Sequence, residues 1–368
     1  MTPTVIPSQF VSRCVPVVDM SQPNLMHNGN LIFYWIYGEG IGALSYLDQA
    51  PRLLLPGIIQ ASTSPYTQTM LWDEAELTHL WTADSGEYSV INSRDFRQWL
   101  ADDRIILRGD LNIYGEEYPT IDEFYVLTPA TSALEHYIID FFEEFASPPS
   151  YPIPRKQPLY DPYFKYAFYR WEEFVLENNV IVSHQYGVLL WDIPSGKEVW
   201  RAAGWWGWPD IRAGASWKYD GSQVAYVAPD PAHDFSLELF SVSTSGLVSQ
   251  LTNLGGTNAE YYEIFDLLWS PNGRYIAFLF NKDVIEPLYS RYLYILDLDT
   301  GVITDYCISP VGDMFWSPDS TQIAFLRNIL GGPDAPPQLL ILDLEEQIAQ
   351  DMEIETRGLY GWIDWDLP

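Results

Sequence analysis

Residues 268–280 read LWSPNGRYIAFLF, and residues 315–327 read FWSPDSTQIAFLR. Each copy is an apolar strand ending in tryptophan, then a short turn, then a second apolar strand. In the first copy the turn carries Asn272–Gly273, residues that tolerate the positive φ of a tight hairpin. Pro271 and Pro318 fall just outside the strands, where a missing N–H breaks no ladder. A second strand pair follows, as in YLYILDLDTGVITDYC (292–307), whose alternation stops at Thr300–Gly301.

The unit recurs on both sides. Upstream, ASWKYDGSQVAYVA (215–228) leads into LELFSVSTSGLVSQLT (237–252), with Asp220–Gly221 at the turn. Downstream, QLLILDLEEQIAQDM (338–352) supplies an outer pair. Trp217, Trp269 and Trp316 are separated by 52 and 47 residues. Four short strands at a period of about fifty residues is the pattern of a β-propeller blade. The repeated tryptophan is expected to wedge between neighbouring blades.

WSPNGRYIAF and WSPDSTQIAF resemble the repeat of TolB-like β-propellers, where a Ser-Gly or Thr-Gly turn follows two strands later. VLLWDIPSGKEVW (188–200) resembles instead the end of a WD-repeat blade, through Trp191–Asp192. The resemblance covers roughly residues 180–350. It implies a fold rather than an activity, and the TolB likeness implies export.

Strands can be extended backwards through 122–142, 104–115 and 67–92 to 28–57, where three strands begin without an innermost one. LYGWIDWDLP (359–368) offers the missing strand and places Trp365 49 residues after Trp316. The expected fold is therefore all-β: a single closed propeller of seven four-stranded blades, with six or eight as alternatives. Its ring is closed by the C-terminal strand, which removes two sheet edges at once. Residues 1–27 are expected as an extended N-terminal segment and 28–368 as the propeller. The stretch SPPSYPIPRKQPLYDPYFKY (147–166), with six prolines, is expected as an excursion between blades.

Composition narrows function. The 50 acidic and 19 basic residues give a formal charge of −31, which repels phosphate backbones and anionic membrane surfaces. No nucleic-acid partner is expected; a protein or peptide partner of cationic character is. No run of the sequence reaches the length of a transmembrane helix. The start, MTPTVIPSQF, lacks the charged and apolar regions of a signal peptide. A cytoplasmic location follows if Met1 is the native start, and an exported one if the chain is a processed form. Cys14 and Cys307 make no CxxC pair, and spacing leaves open whether they bond.

Catalytic signals are sparse. There is no Gly-x-Ser-x-Gly elbow, and too little chain remains for a hydrolase domain beside a propeller. His27, His79, His136, His184 and His233 show no metal-ligand spacing, and DLDTG (297–301) lacks the rest of a calcium loop. No metal or cofactor is expected. WDEAEL (72–77) and RWEEF (170–174) set carboxylates beside aromatics, as glycosidase sites do.

The sharpest binding candidate is GWWGWPD (204–210), which places Trp205, Trp206 and Trp208 in a connection between two blades. Flat aromatic surface there can anchor a protein chain or stack on a sugar. Alternatively, two of the three plug the space between blades. The reading is a non-catalytic interaction platform that binds through inter-blade loops. The alternative is a carbohydrate or small-molecule binder, or a hydrolase, that uses the central channel.

Overall fold

The computed structural model describes residues 4–5, 8–19, 26, 30–36, 39–45, 52–58, 61–74, 77–82, 88–92, 96–108, 121–140, 150–177, 180–204, 214–230, 237–254, 263–281, 291–327 and 337–364. They form seven small sheets, the blades of a seven-bladed β-propeller.

Three short strands come first: β1 (Thr4–Val5), β2 (Gln9–Ser12) and β3 (Val17–Val18). Blade I holds β4 (Asn30–Ile36), β5 (Gly40–Ser45) and β6 (Arg52–Pro56). Blade II holds β7 (Ala61–Thr63), β8 (Thr69–Glu74), β9 (Leu77–Thr82) and β10 (Tyr88–Asn92). Blade III holds β11 (Phe96–Trp99), β12 (Ile105–Arg108), β13 (Ile121–Thr128) and β14 (Ala133–Asp140). Blade IV holds β15 (Ser150–Tyr160), β16 (Tyr166–Glu177), β17 (Val180–Asp192) and β18 (Lys197–Ala203).

Blade V holds β19 (Ala215–Trp217), β20 (Gln223–Pro229), β21 (Leu237–Ser243) and β22 (Val248–Gln250). Blade VI holds β23 (Glu263–Trp269), β24 (Tyr275–Asn281), β25 (Arg291–Asp297) and β26 (Val302–Asp305). Blade VII holds β27 (Pro310–Trp316), β28 (Gln322–Arg327), β29 (Gln338–Asp343) and β30 (Ile348–Glu355). The last strand, β31 (Leu359–Asp364), returns to blade I.

The chain forms two compact units. One holds residues 1–8, 95–269 and 282–284; the other holds 9–94, 270–281 and 285–368. In the second unit β31 pairs antiparallel with β4, from Leu359↔Tyr34 to Asp364↔Asn30. The C-terminal strand thus completes the N-terminal blade, as the missing innermost strand of 28–57 required. Trp362, Leu359, Tyr34 and Ile32 from the two chain ends share one buried cluster with Leu339, Ile341 and Met352 of blade VII. Gly361 sits at φ +148°, and a Cβ there would collide with Thr63 of β7, so glycine permits the close approach.

The N-terminal segment is not a free extension. β1 adds in parallel to β22 in the first unit; β2 adds to β26 and β3 to β30 in the second. Blades V, VI and VII each gain a fifth strand in this way, and their outer edges are covered. Cys14, between β2 and β3, is bonded to Cys307.

One expectation is corrected. The proline-rich stretch 147–166 is not an excursion: it contains β15, the end strand of blade IV, which pairs with β16. Pro152 and Pro154 lie opposite Glu173 and Trp171, two residues apart. Their missing N–H groups therefore face the same side, the open edge of an end strand, where no ladder bond is lost. Pro158 falls in the register shift between Arg155 and Leu159.

Candidate functional site

The repeated turn is built from its own side chains. At Ser270 the hydroxyl accepts the Tyr275 N–H at 2.9 Å and donates to Asn272 Oδ1 at 2.8 Å. At Ser317 it accepts the Gln322 N–H at 2.9 Å and donates to Asp319 Oδ1 at 2.6 Å. Two copies escape the sequence reading. In TSPYTQT the Ser64 hydroxyl accepts the N–H groups of Tyr66 and Thr67. In YDPYFKY the Asp161 carboxylate takes the serine's place and accepts the N–H groups of Tyr163, Lys165 and Tyr166.

A single backbone bond ties these turns together: Ser64, Asp161, Lys218, Ser270 and Ser317 each donate to the carbonyl five residues on. Leu100 does the same to Arg104 in a turn one residue shorter. The left-handed residue of the turn is Gly221, Gly273, Ser320, Asp103 or, in blade IV, Phe164. Burial pushes the Asp161 carboxyl above the usual carboxylate range, and the three N–H bonds offset this only in part. These polar groups are committed to the turn, so the motif is architecture.

Trp217 and Trp316 reach the preceding blade with their side chains, as expected of wedge residues. In the first unit the Trp217 indole N–H donates to the Leu159 carbonyl of the preceding blade at 3.0 Å, and the backbone N–H of Trp269 donates to Ser216 Oγ at 3.0 Å. In the second, Trp316 stacks on Tyr275 at 5.9 Å, and Ser320 Oγ accepts the Asn272 N–H. Trp191–Asp192 occupies the outer-hairpin position of Leu296–Asp297 and Leu342–Asp343. All three aspartates accept backbone N–H groups of the turn that follows.

Trp205, Trp206 and Trp208 lie outside the described residues, as do His27 and His233. The chain leaves blade IV at Gly204, whose N–H donates to the Tyr186 carbonyl, and re-enters at Ala215 of blade V. His79 is buried and stacks on Trp72 at 5.3 Å. His136 is exposed, with Nε2 2.7 Å from Glu123 Oε1. His184 lies in β17 with its side chain outside the described residues, as are those of Glu172 and Glu173 in β16. In WDEAEL, Asp73 accepts the Thr78 hydroxyl. In DLDTG, burial acts to raise Asp297, but its two bonds from Arg274 outweigh that and hold the carboxyl below the usual range. The structure brings none of these together, and no cluster of three metal-ligating side chains occurs among the described residues.

Two outer strands display apolar side chains that the sequence reading did not single out. Leu53 and Leu54 are exposed on β6, and Leu134 and Ile138 on β14, at 44% and 56%. On the other face of β14, Tyr137 packs against Phe124 and Phe164. Nearby, buried Arg97 lies over the rings of Phe124 and Tyr160 at 5.5 and 5.8 Å. The hydropathy signal of β14 is that of any half-buried strand, so exposure on this edge had no local signature.

No protein-family model matches the sequence, and no curated protein matches it. Among solved structures, the chain is similar to an oligogalacturonate lyase from Vibrio parahaemolyticus, at 13% identity and TM-score 0.52. That match covers 88% of this chain and 86% of the lyase. It is also similar to the β-propeller domain of the Trilobed protease from Pyrococcus furiosus, at 12% identity and TM-score 0.47, covering 86% and 87%. A third match is an acylaminoacyl peptidase from Pyrococcus horikoshii, at 9% identity and TM-score 0.50; it covers 82% of this chain and 46% of the peptidase, less than half its length. At these identities the likeness is one of fold.

Proposed function

We propose that the protein is a non-catalytic interaction platform that binds a protein or peptide of cationic and apolar character through its inter-blade connections. The observation that carries this reading is the commitment of the repeated polar side chains. Ser64, Asp161, Ser270 and Ser317 are all taken up by backbone N–H groups of their own turns. Recognition then falls to the stretches that break the repeat, chiefly 204–210, within a chain of formal charge −31. Trp205, Trp206 and Trp208 supply the anchors, and the chain's negative charge favours a basic partner.

The blades are read as TolB-like rather than WD-like, because Ser64–Pro65 and Asp161–Pro162 extend the serine-proline turn to blades II and IV, while Trp191–Asp192 behaves as an ordinary outer-hairpin turn. The Cys14–Cys307 bond favours an oxidising compartment, and hence export. A second reading, action on a carbohydrate, draws only on the shared fold of the lyase. The charge of −31 weighs against an anionic oligosaccharide as its ligand.

The test is to change Trp205, Trp206 and Trp208 to alanine one at a time, measuring thermal unfolding and binding to a basic, aromatic-containing peptide. Loss of binding with unfolding unchanged supports the platform. Loss of stability in each variant assigns the tryptophans to packing and removes the proposed site.

A further inference from the structure

We propose that β14 is a dimerisation edge, which pairs antiparallel with the same strand of a second copy of this chain about a two-fold axis centred on His136. β14 is the end strand of blade III, and among the described residues no strand lies beyond it. It pairs with β13 over all eight residues, so its backbone is held extended and regular. An edge of this kind is a ready template for another strand.

The outer edges of blades I, IV, V, VI and VII are protected; that of blade II, β10, is uncovered among the described residues but three residues shorter than β14, and its side chains lie outside them. The edges of blades V, VI and VII are covered by β1, β2 and β3. Blade IV ends in β18, which carries Lys197, Glu198 and Arg201, and blade I ends in β6, which begins with Arg52 and closes on Pro56. Charges and proline blunt such edges. β14 has neither an added strand nor a proline; it carries Glu135 and Asp140, but Leu134 and Ile138 are exposed on the face opposite Glu135.

The register follows from symmetry. Successive residues of a strand turn their N–H and C=O groups to alternate sides, so two identical strands can pair about a two-fold only when the axis passes through a residue. Centring on His136 sets Leu134 opposite Ile138 of the second copy, twice over, and Glu135 opposite Tyr137. Tyr137 already donates to Glu135 within one chain at 2.6 Å. The two central imidazoles each have Nε2 2.7 Å from their own Glu123 Oε1. Centring on Glu135 would oppose that carboxylate with its own copy, and centring on Tyr137 would separate Leu134 from Ile138. Apolar pairs opposite one another and the absence of opposed like charges both favour the His136 register. Because each copy carries −31, association is expected to strengthen as salt rises.

The experiment uses the full chain with single added cysteines, since Cys14 and Cys307 are bonded to each other. His136→Cys is expected to give a covalent dimer under mild oxidation. Leu134→Cys and Ile138→Cys should each remain uncrosslinked alone and link when mixed. Light scattering should find a dimer for the parent and a monomer for Ile138→Lys, with the same thermal unfolding. A parent that stays monomeric at high salt, or a dimer whose His136→Cys variant does not crosslink, overturns the proposal.

Discussion

Cys14 and Cys307 are joined by a disulfide across 293 residues of sequence. The segment it holds rests mainly on backbone bonds, such as Gln9 N–H to the Gly301 carbonyl and Arg13 N–H to the Asp305 carbonyl. Phe10 packs on Tyr294 at 5.3 Å but is itself exposed. Loop-closure entropy for so long a loop sets an upper figure of about 5 kcal/mol. Cys14→Ser is expected to lower stability by up to that amount and to speed hydrogen exchange at Gln9 and Arg13. Unchanged exchange at Arg13 would show that the strand pairing holds without the bond.

Asp161 does in blade IV what serine does in blades II, VI and VII. Asp161→Ala leaves the N–H groups of Tyr163, Lys165 and Tyr166 without their acceptor, with an expected loss of about 1–3 kcal/mol by denaturant unfolding. Its folded pKa is raised above the unfolded value, so its contribution is full below the unfolded pKa and is lost as pH rises through the folded one. The stability of Asp161→Asn relative to the parent should therefore improve from acid to neutral pH. A pH-independent difference would contradict this.

Phe164 occupies the left-handed position that the turns of blades V and VI give to glycine, at φ 57°. It is buried, with ring contacts to Phe124, Tyr137 and Tyr160 between 5.1 and 5.4 Å. Relief of backbone strain is worth about 1–2 kcal/mol, whereas emptying a buried phenylalanine site loses about 3–5. Phe164→Gly should therefore destabilise by about 2 kcal/mol in equilibrium unfolding. A stabilised variant would mean that the aromatic packing contributes little.

Blade I depends on both chain ends. Deleting residues 358–368 removes β31, uncovers β4 along its length and strips Leu359 and Trp362 from a buried cluster. The truncated chain is expected to lose cooperative thermal unfolding. A truncation as stable as the parent would contradict the closure.

The fold was legible where the turn kept its tryptophan, serine and proline, as at 269–271 and 316–318. It was hidden where Tyr160–Asp161–Pro162 keeps only the proline and Thr63–Ser64–Pro65 lacks the tryptophan, although the strand after the blade IV turn keeps the same pattern, YAFY (166–169) beside YIAF (275–278). Proline count misled at 147–166, because the cost of proline depends on which edge its nitrogen faces. The N-terminal pairing left no local sign, since two-residue strands such as Val17–Val18 find their partners more than 300 residues away. Of the candidate stretch 204–210, Gly204 ends blade IV through its bond to the Tyr186 carbonyl, while the tryptophans after it lie outside the described residues.

The most direct measurement is the affinity of the intact chain for matched extended peptides, one set basic and aromatic and one set acidic and aromatic, at low and high salt. Binding of the basic set alone, weakened by salt and lost on combined substitution of Trp205, Trp206 and Trp208 by alanine without loss of thermal stability, is the expected result. Equal binding of both sets, or binding unaffected by the tryptophan substitutions, would contradict an acidic, loop-based interaction platform.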